Sequence, residues 1–135
     1  MTTIEKVNLL QKAPVFQGVR TESLARIAAI AREVNCDARQ LLFREHEGAD
    51  TMFLLLEGQV SLVKDGQAPG EAGPGHLVGV LAVLAGESHT ESAMATQPVR
   101  ALQIDQQELY DAMAEDFHIT RGVLRALVHL KPKTP

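Results

Sequence analysis

Between Gln40 and Ile104 the sequence keeps no apolar run long enough for an ordinary buried helix, and turn residues close each run. Leu41-Leu42-Phe43 leads into His46-Glu47-Gly48-Ala49-Asp50, and Met52 to Leu56 stops at Gly58. Val60 and Leu62 alternate with Gln59 and Ser61 before Val63-Lys64. Asp65-Gly66 then signals a hairpin, because a type I′ turn needs positive φ at both central residues. Pro69 to Gly75 holds three glycines and two prolines and reads as loop. Ser92–Thr96 and Val99–Ile104 read as two further strands on either side of Pro98. Short strands at this spacing predict a sandwich, barrel or jelly roll.

The flanks change period. Ile4, Val7 and Leu10 fall on one helical face before Pro14 ends the segment. Leu24, Ile27, Ala28, Ala31 and Val34 make one stripe of a second helix, with Thr21 or Ser23 as its cap. After the strands, Asp105 with Glu108 resembles a capping box for a helix burying Leu109, Ala112 and Met113. A last helix follows Asp116, with Ile119, Val123, Ala126, Leu127 and Leu130 on one side and Pro132 at its end. The expected plan is one domain over 1–135: helices over about 3–35, a β region over about 38–104 and C-terminal helices over about 105–131.

Composition excludes several classes. The chain has 135 residues, 45% hydrophobic and 22% charged, which is ordinary for a folded domain. Aromatics are 4% with no Trp, so the core is expected to be aliphatic. Lys plus Arg is 13 and Asp plus Glu 17, a net charge of −4, which argues against nucleic-acid binding by this chain alone. The longest apolar stretch, Leu77 to Ala85, is interrupted by Gly79 and falls short of the ~20 residues that span a bilayer. No signal-peptide pattern opens the chain, so the expected location is cytoplasmic, with no membrane insertion. A single Cys cannot form an intrachain disulfide or a Cys-rich zinc site. Cys36 reads as a small packed side chain.

The β region carries a resemblance. Ala38-Arg-Gln-Leu-Leu-Phe-Arg-Glu-His-Glu-Gly-Ala-Asp resembles the early strand and turn of the cyclic-nucleotide-binding domain family. Met52-Phe-Leu-Leu-Leu-Glu-Gly-Gln-Val-Ser-Leu-Val resembles its next hairpin, and Gly73 to Ala95 is similar to its phosphate-binding cassette. Catabolite activator proteins, protein kinase A regulatory subunits and nucleotide-gated channels belong to that family. The resemblance covers nearly the whole chain. It implies a mainly β fold: a jelly roll, or double-stranded β-helix, with an N-terminal helical bundle and C-terminal helices. Independently of the family, Gly79 stands before a short apolar helix, where glycine lets the backbone turn and its N–H groups face an anion.

The cassette is degenerate against the family pattern. The family places a Glu after the cassette glycine to accept the ribose 2′-OH; here the tripeptide is Val78-Gly79-Val80, and valine has no acceptor. The family's later Arg, which pairs with the cyclic phosphate, corresponds to His89. An imidazole cannot reproduce a permanent two-pronged guanidinium contact. Glu91 adds negative charge nearby, and Ser92 alone keeps a hydroxyl where the family often has Thr or Ser. Losing two charge-assisted hydrogen bonds costs about 3–6 kcal/mol, or roughly two to four decades of affinity. The resemblance therefore implies a non-enzymatic regulatory domain with weak or no cyclic nucleotide affinity. The candidate pocket is Val78, Gly79, Val80, Leu81, Ser88, His89 and Ser92. An alternative is a true sensor of a cyclic nucleotide or another small ligand.

Other chemistry is weaker. A cupin-type jelly-roll enzyme needs a close His pair, and His46, His76, His89, His118 and His129 are all far apart. These five read as solvated or loop residues, and Glu45-His46-Glu47 as surface. Neither a nucleophile elbow nor a phosphate-binding Walker loop is present, so no cofactor or metal is expected. Arg121, Arg125 and His129 share one helical stripe, which reads as a solvated face. In the family's transcriptional activators a long helix here makes the dimer and leads to a DNA-binding motif; here the chain ends at Pro135. The expected partners are therefore neighbouring domains of a larger protein, or a second copy, through the C-terminal helix.

Overall fold

Thr2 closes a reciprocal cap that the periodicity argument passed over. Its hydroxyl accepts the Glu5 N–H at 3.1 Å, and the Glu5 carboxylate accepts the Thr2 N–H at 3.3 Å. The computed structural model describes residues 1–129, the side chain of Pro69 excepted. These form two compact units: Met1–Ile30 with the chain from Glu108 on, and Ala31–Gln107.

The helical unit begins with α1 (Thr3–Leu10), which buries Val7 and Leu10 and leaves Ile4 74% exposed. A 3₁₀ turn at Pro14–Phe16 buries Val15 and Phe16. Helix α2 (Thr21–Ile30) packs on α1 and buries Leu24, Ile27 and Ala28. Ser23 is not the cap expected of it. It sits inside α2, fully buried, and its hydroxyl donates to Asp116 at 2.8 Å.

The second unit opens on β1 (Arg32–Cys36), where helix was expected to about residue 35. Val34 sits three residues after Ala31 and so mimics a continuing helical stripe, but it pairs with Ala101 of a strand. The remaining strands are β2 (Leu41–Phe43), β3 (Thr51–Glu57), β4 (Val60–Lys64), β5 (Gln67–Ala72) and β6 (Leu77–Val78). Helix α3 (Val80–Ala85), β7 (Ser92–Ala95) and β8 (Val99–Asp105) follow. Strands pair antiparallel in two four-stranded sheets, ordered β1-β8-β3-β6 and β2-β7-β4-β5. Every strand contributes to one apolar cluster: Cys36, Phe43, Phe53, Leu55, Val60, Ala72, Val78, Ala93, Ala95, Val99 and Ala101. A core built from both sheets is the jelly-roll arrangement the sequence predicts.

Asp65 and Gly66 take φ of 53° and 76°, the signs a type I′ turn requires, and join β4 to β5. The segment read as loop from Pro69 is strand through Ala72. Proline cannot donate to a ladder, and Pro69 falls where the β4–β5 register is irregular, on the outer strand of its sheet.

Helix α4 (Gln106–Glu115) follows β8 and buries Leu109 and Ala112, with Met113 half-buried. The Asp105 carboxylate pairs with Arg32 and accepts from Gln103 Nε2 at 3.2 Å. Helix α5 (Phe117–His129) buries Ile119, Gly122 and Val123, with Ala126 and Leu127 half-buried, so most of the predicted stripe is packed. Leu130 and Pro132 of that prediction lie outside the described residues. Among the described residues no helix is long and apolar enough to cross a membrane.

Candidate functional site

The cassette is built where β6 ends. Gly79 takes φ 82° as it hands the chain to α3, and Gly86 takes φ 69° where α3 stops. Both conformations suit glycine and are strained for L side chains. A β-carbon at Gly79 would stand 3.0 Å from His89 Cε1 and 3.1 Å from Phe43 Cε2. The glycine is thus required twice, by its backbone angle and by the rings pressed on it.

Those two rings are the centre of the site. Phe43 and His89 stack with centroids 3.8 Å apart and planes 11° apart. His89 is 3% exposed. Its backbone is held on both sides: His46 N–H donates to His89 O at 2.8 Å, and His89 N–H donates to Glu47 O at 2.9 Å. This corrects the reading of His89 as a solvated histidine. Phe43, absent from the predicted pocket because a phenylalanine in a strand reads as core, also stacks on Phe53 at 6.4 Å.

Burial pushes the His89 imidazole below its usual pKa, against the opposing pull of Asp50 and Glu47. Among the described residues no buried side-chain nitrogen or oxygen lacks a partner. No described residue hydrogen-bonds the ring nitrogens of His89, whose side chain is almost wholly covered. The candidate site therefore holds a buried imidazole stacked on Phe43 and pressed close to Gly79.

The other predicted residues separate. Val78 belongs to the apolar cluster between the sheets. Val80 is half-buried and Leu81 is 59% exposed on α3. The expected apolar lining of Val78, Val80 and Leu81 is thus not one surface, because a strand residue and successive helix residues point in different directions. Ser88 is exposed and bridges Gly48. The Ser92 hydroxyl accepts the Glu45 N–H at 2.9 Å, so it anchors the β2 turn.

Glu45 and His46, in the turn after β2, and Asp65, in the β4–β5 turn, bring ligand atoms within 4.8 Å of one another. His46 and Asp65 are exposed, and the Glu45 carboxylate already accepts the Asp65 N–H at 3.2 Å. The arrangement is that of a hydrogen-bonded surface turn. Cys36 is buried, and burial with Asp37 nearby raises its thiol pKa, which makes it a poor nucleophile.

Comparison with known proteins bears on the fold and the family. The family model described as "Cyclic nucleotide-binding domain" matches residues 33–116. The chain is 25% identical over 131 residues to a CRP-like cAMP-activated global transcriptional regulator of Mycobacterium tuberculosis, covering 93% of this chain and 58% of that protein. It is 30% identical over 96 residues to a cyclic nucleotide-gated potassium channel of Mesorhizobium japonicum, covering 71% of this chain and 26% of the channel. A solved N-terminal domain of a transcriptional regulator from Streptomyces coelicolor A3(2) superposes with a TM-score of 0.79 at 25% identity, covering 89% of each chain. The chain spans little more than half of the regulator it matches. The jelly roll, the glycine-started cassette and the matched span together place the chain in the cyclic nucleotide-binding domain family.

Proposed function

We propose that this chain is a single non-enzymatic regulatory domain whose cassette binds cyclic AMP and cyclic GMP weakly or not at all. The observation that carries the reading is the buried His89 stacked on Phe43. A cyclic phosphate carries a negative charge, and the group at the position matched to the family's arginine is an imidazole that burial keeps neutral at pH 7. It offers neither a permanent charge nor a paired fork of donors. Val80 supplies no acceptor for a ribose hydroxyl. The domain's output would pass through its helices to neighbouring domains of a larger protein, or to a second copy through α5.

Titration calorimetry with both cyclic nucleotides tests this. The expected result is a dissociation constant near millimolar or weaker, about two to four decades from micromolar. Low-micromolar binding of either nucleotide would falsify the reading.

A second reading, a sensor for a different small ligand, is favoured by one feature. His89 is buried, stacked on Phe43 and held below its usual pKa, a setting that suits a neutral ligand better than an anion.

A further inference from the structure

The helical unit holds a cleft that the cassette reading does not use. It is about 290 Å³ in volume and is lined by Gly18, Arg20, His118, Arg121, Gly122 and Arg125. His118, Arg121 and Arg125 stand at three- and four-residue steps, which stacks them along one face of α5. Arg20 lines the same cleft from the turn before α2. Gly18 and Gly122 let the two backbones close on each other: a β-carbon on Gly122 would lie 2.7 Å from Gly18 O. A second hollow of about 330 Å³ shares Gly18 and Arg125 and adds His129, which extends the basic track along α5.

The charge of this cleft is unbalanced. Among the described residues no carboxylate pairs with Arg121 or Arg125. Among the described residues Arg20 reaches only Glu22, at 3.9 Å and with both side chains largely exposed, a contact of little strength. Asp116 is close in sequence, but its carboxylate accepts the Ser23 hydroxyl and the His118 N–H. Three guanidiniums therefore share one concave site in a chain whose net charge is −4. Guanidinium forks match phosphate oxygens two at a time, and three of them exceed the charge of a single carboxylate.

We propose that this cleft binds a small ligand carrying a phosphomonoester or pyrophosphate group. Its modest volume suits one or two phosphoryl groups rather than a duplex backbone.

The test follows amide and arginine side-chain NMR signals while the whole chain is titrated with sodium phosphate and sodium pyrophosphate at constant ionic strength. The expected result is saturable shifts at Gly18, Arg20, Arg121, Gly122 and Arg125. Pyrophosphate is expected to bind at least about tenfold tighter than phosphate, since a second phosphoryl group engages a second fork. Arg121→Gln with Arg125→Gln should weaken pyrophosphate at least about tenfold without changing the melting temperature, because both side chains are exposed and unpaired. Non-saturating shifts, equal shifts with sodium chloride, or unchanged binding by the double variant would overturn the proposal. So would shifts confined to Gly79 and His89, which place the anion in the cassette instead. A short DNA duplex that outcompetes pyrophosphate through the same arginines would overturn the small-ligand assignment.

Discussion

A buried imidazole resists protonation, and His89 makes that resistance measurable. Its folded-state pKa lies below the ordinary value of about 6.5 that it regains on unfolding. Above that value both states are neutral and stability is complete. As pH falls below about 6.5 the unfolded chain takes up a proton that the folded chain refuses, so stability drops until the folded value is passed. The melting temperature of the wild-type chain should therefore fall more steeply below pH 6.5 than that of His89→Gln; parallel curves would contradict the assignment. The same residue governs affinity. Val80→Glu with His89→Arg restores the acceptor and the guanidinium the family pattern calls for, and should tighten cyclic AMP binding by at least about tenfold in calorimetry. No gain would mean that the Phe43 ring closes the site by shape.

Elements show where local signals mislead. In a helix, Gly→Ala normally gains about 1 kcal/mol. Gly122 of α5 should reverse that sign, because its new β-carbon would meet Gly18 O at 2.7 Å and Val19 Cγ2 at 2.7 Å. Chemical denaturation of Gly122→Ala should show a loss of about 1–3 kcal/mol, the usual cost of overpacking. The same contrast explains what the sequence disclosed. The hairpin at Asp65-Gly66 was legible because its angle requirement is local. Strand β5 was not, because Pro69 and Gly70 forbid an interior strand and only the sheet order shows β5 to be at the edge. Strand β1 was hidden by Val34, whose spacing from Ala31 fits a helix as well as a strand. Gly79 and His89 were singled out by motif spacing, and the structure brings them together. The Phe43 contact was not legible, because Phe43 lies far along the chain and meets His89 through the pairing of β2 with β7 and the hydrogen bonds of His46 and Glu47 to the His89 backbone.

For the whole molecule, an aligned set of exposed large apolar side chains among the described residues lies on α5. Phe117, Leu124 and Val128 are 68%, 55% and 80% exposed and recur at seven and four residues, which aligns them in one stripe. If the domain pairs with a second copy through this helix, sedimentation should give a mass above 14.7 kDa at tens of micromolar chain, on the order expected of a modest interface. Leu124→Glu with Val128→Glu should return it to the monomer. A monomeric wild-type chain would assign the stripe to a neighbouring domain instead.

The proline in β5 bears on a different hazard. An open sheet edge is a template on which other chains can stack, and the first step toward insoluble fibrils is often a strand borrowed from a neighbour. At Pro69 the edge has no N–H to offer, and Gly70 and Glu71 beside it favour neither stacking nor dry contact. The residues that made this segment look unlike a strand are thus those that blunt its edge as a template for another chain.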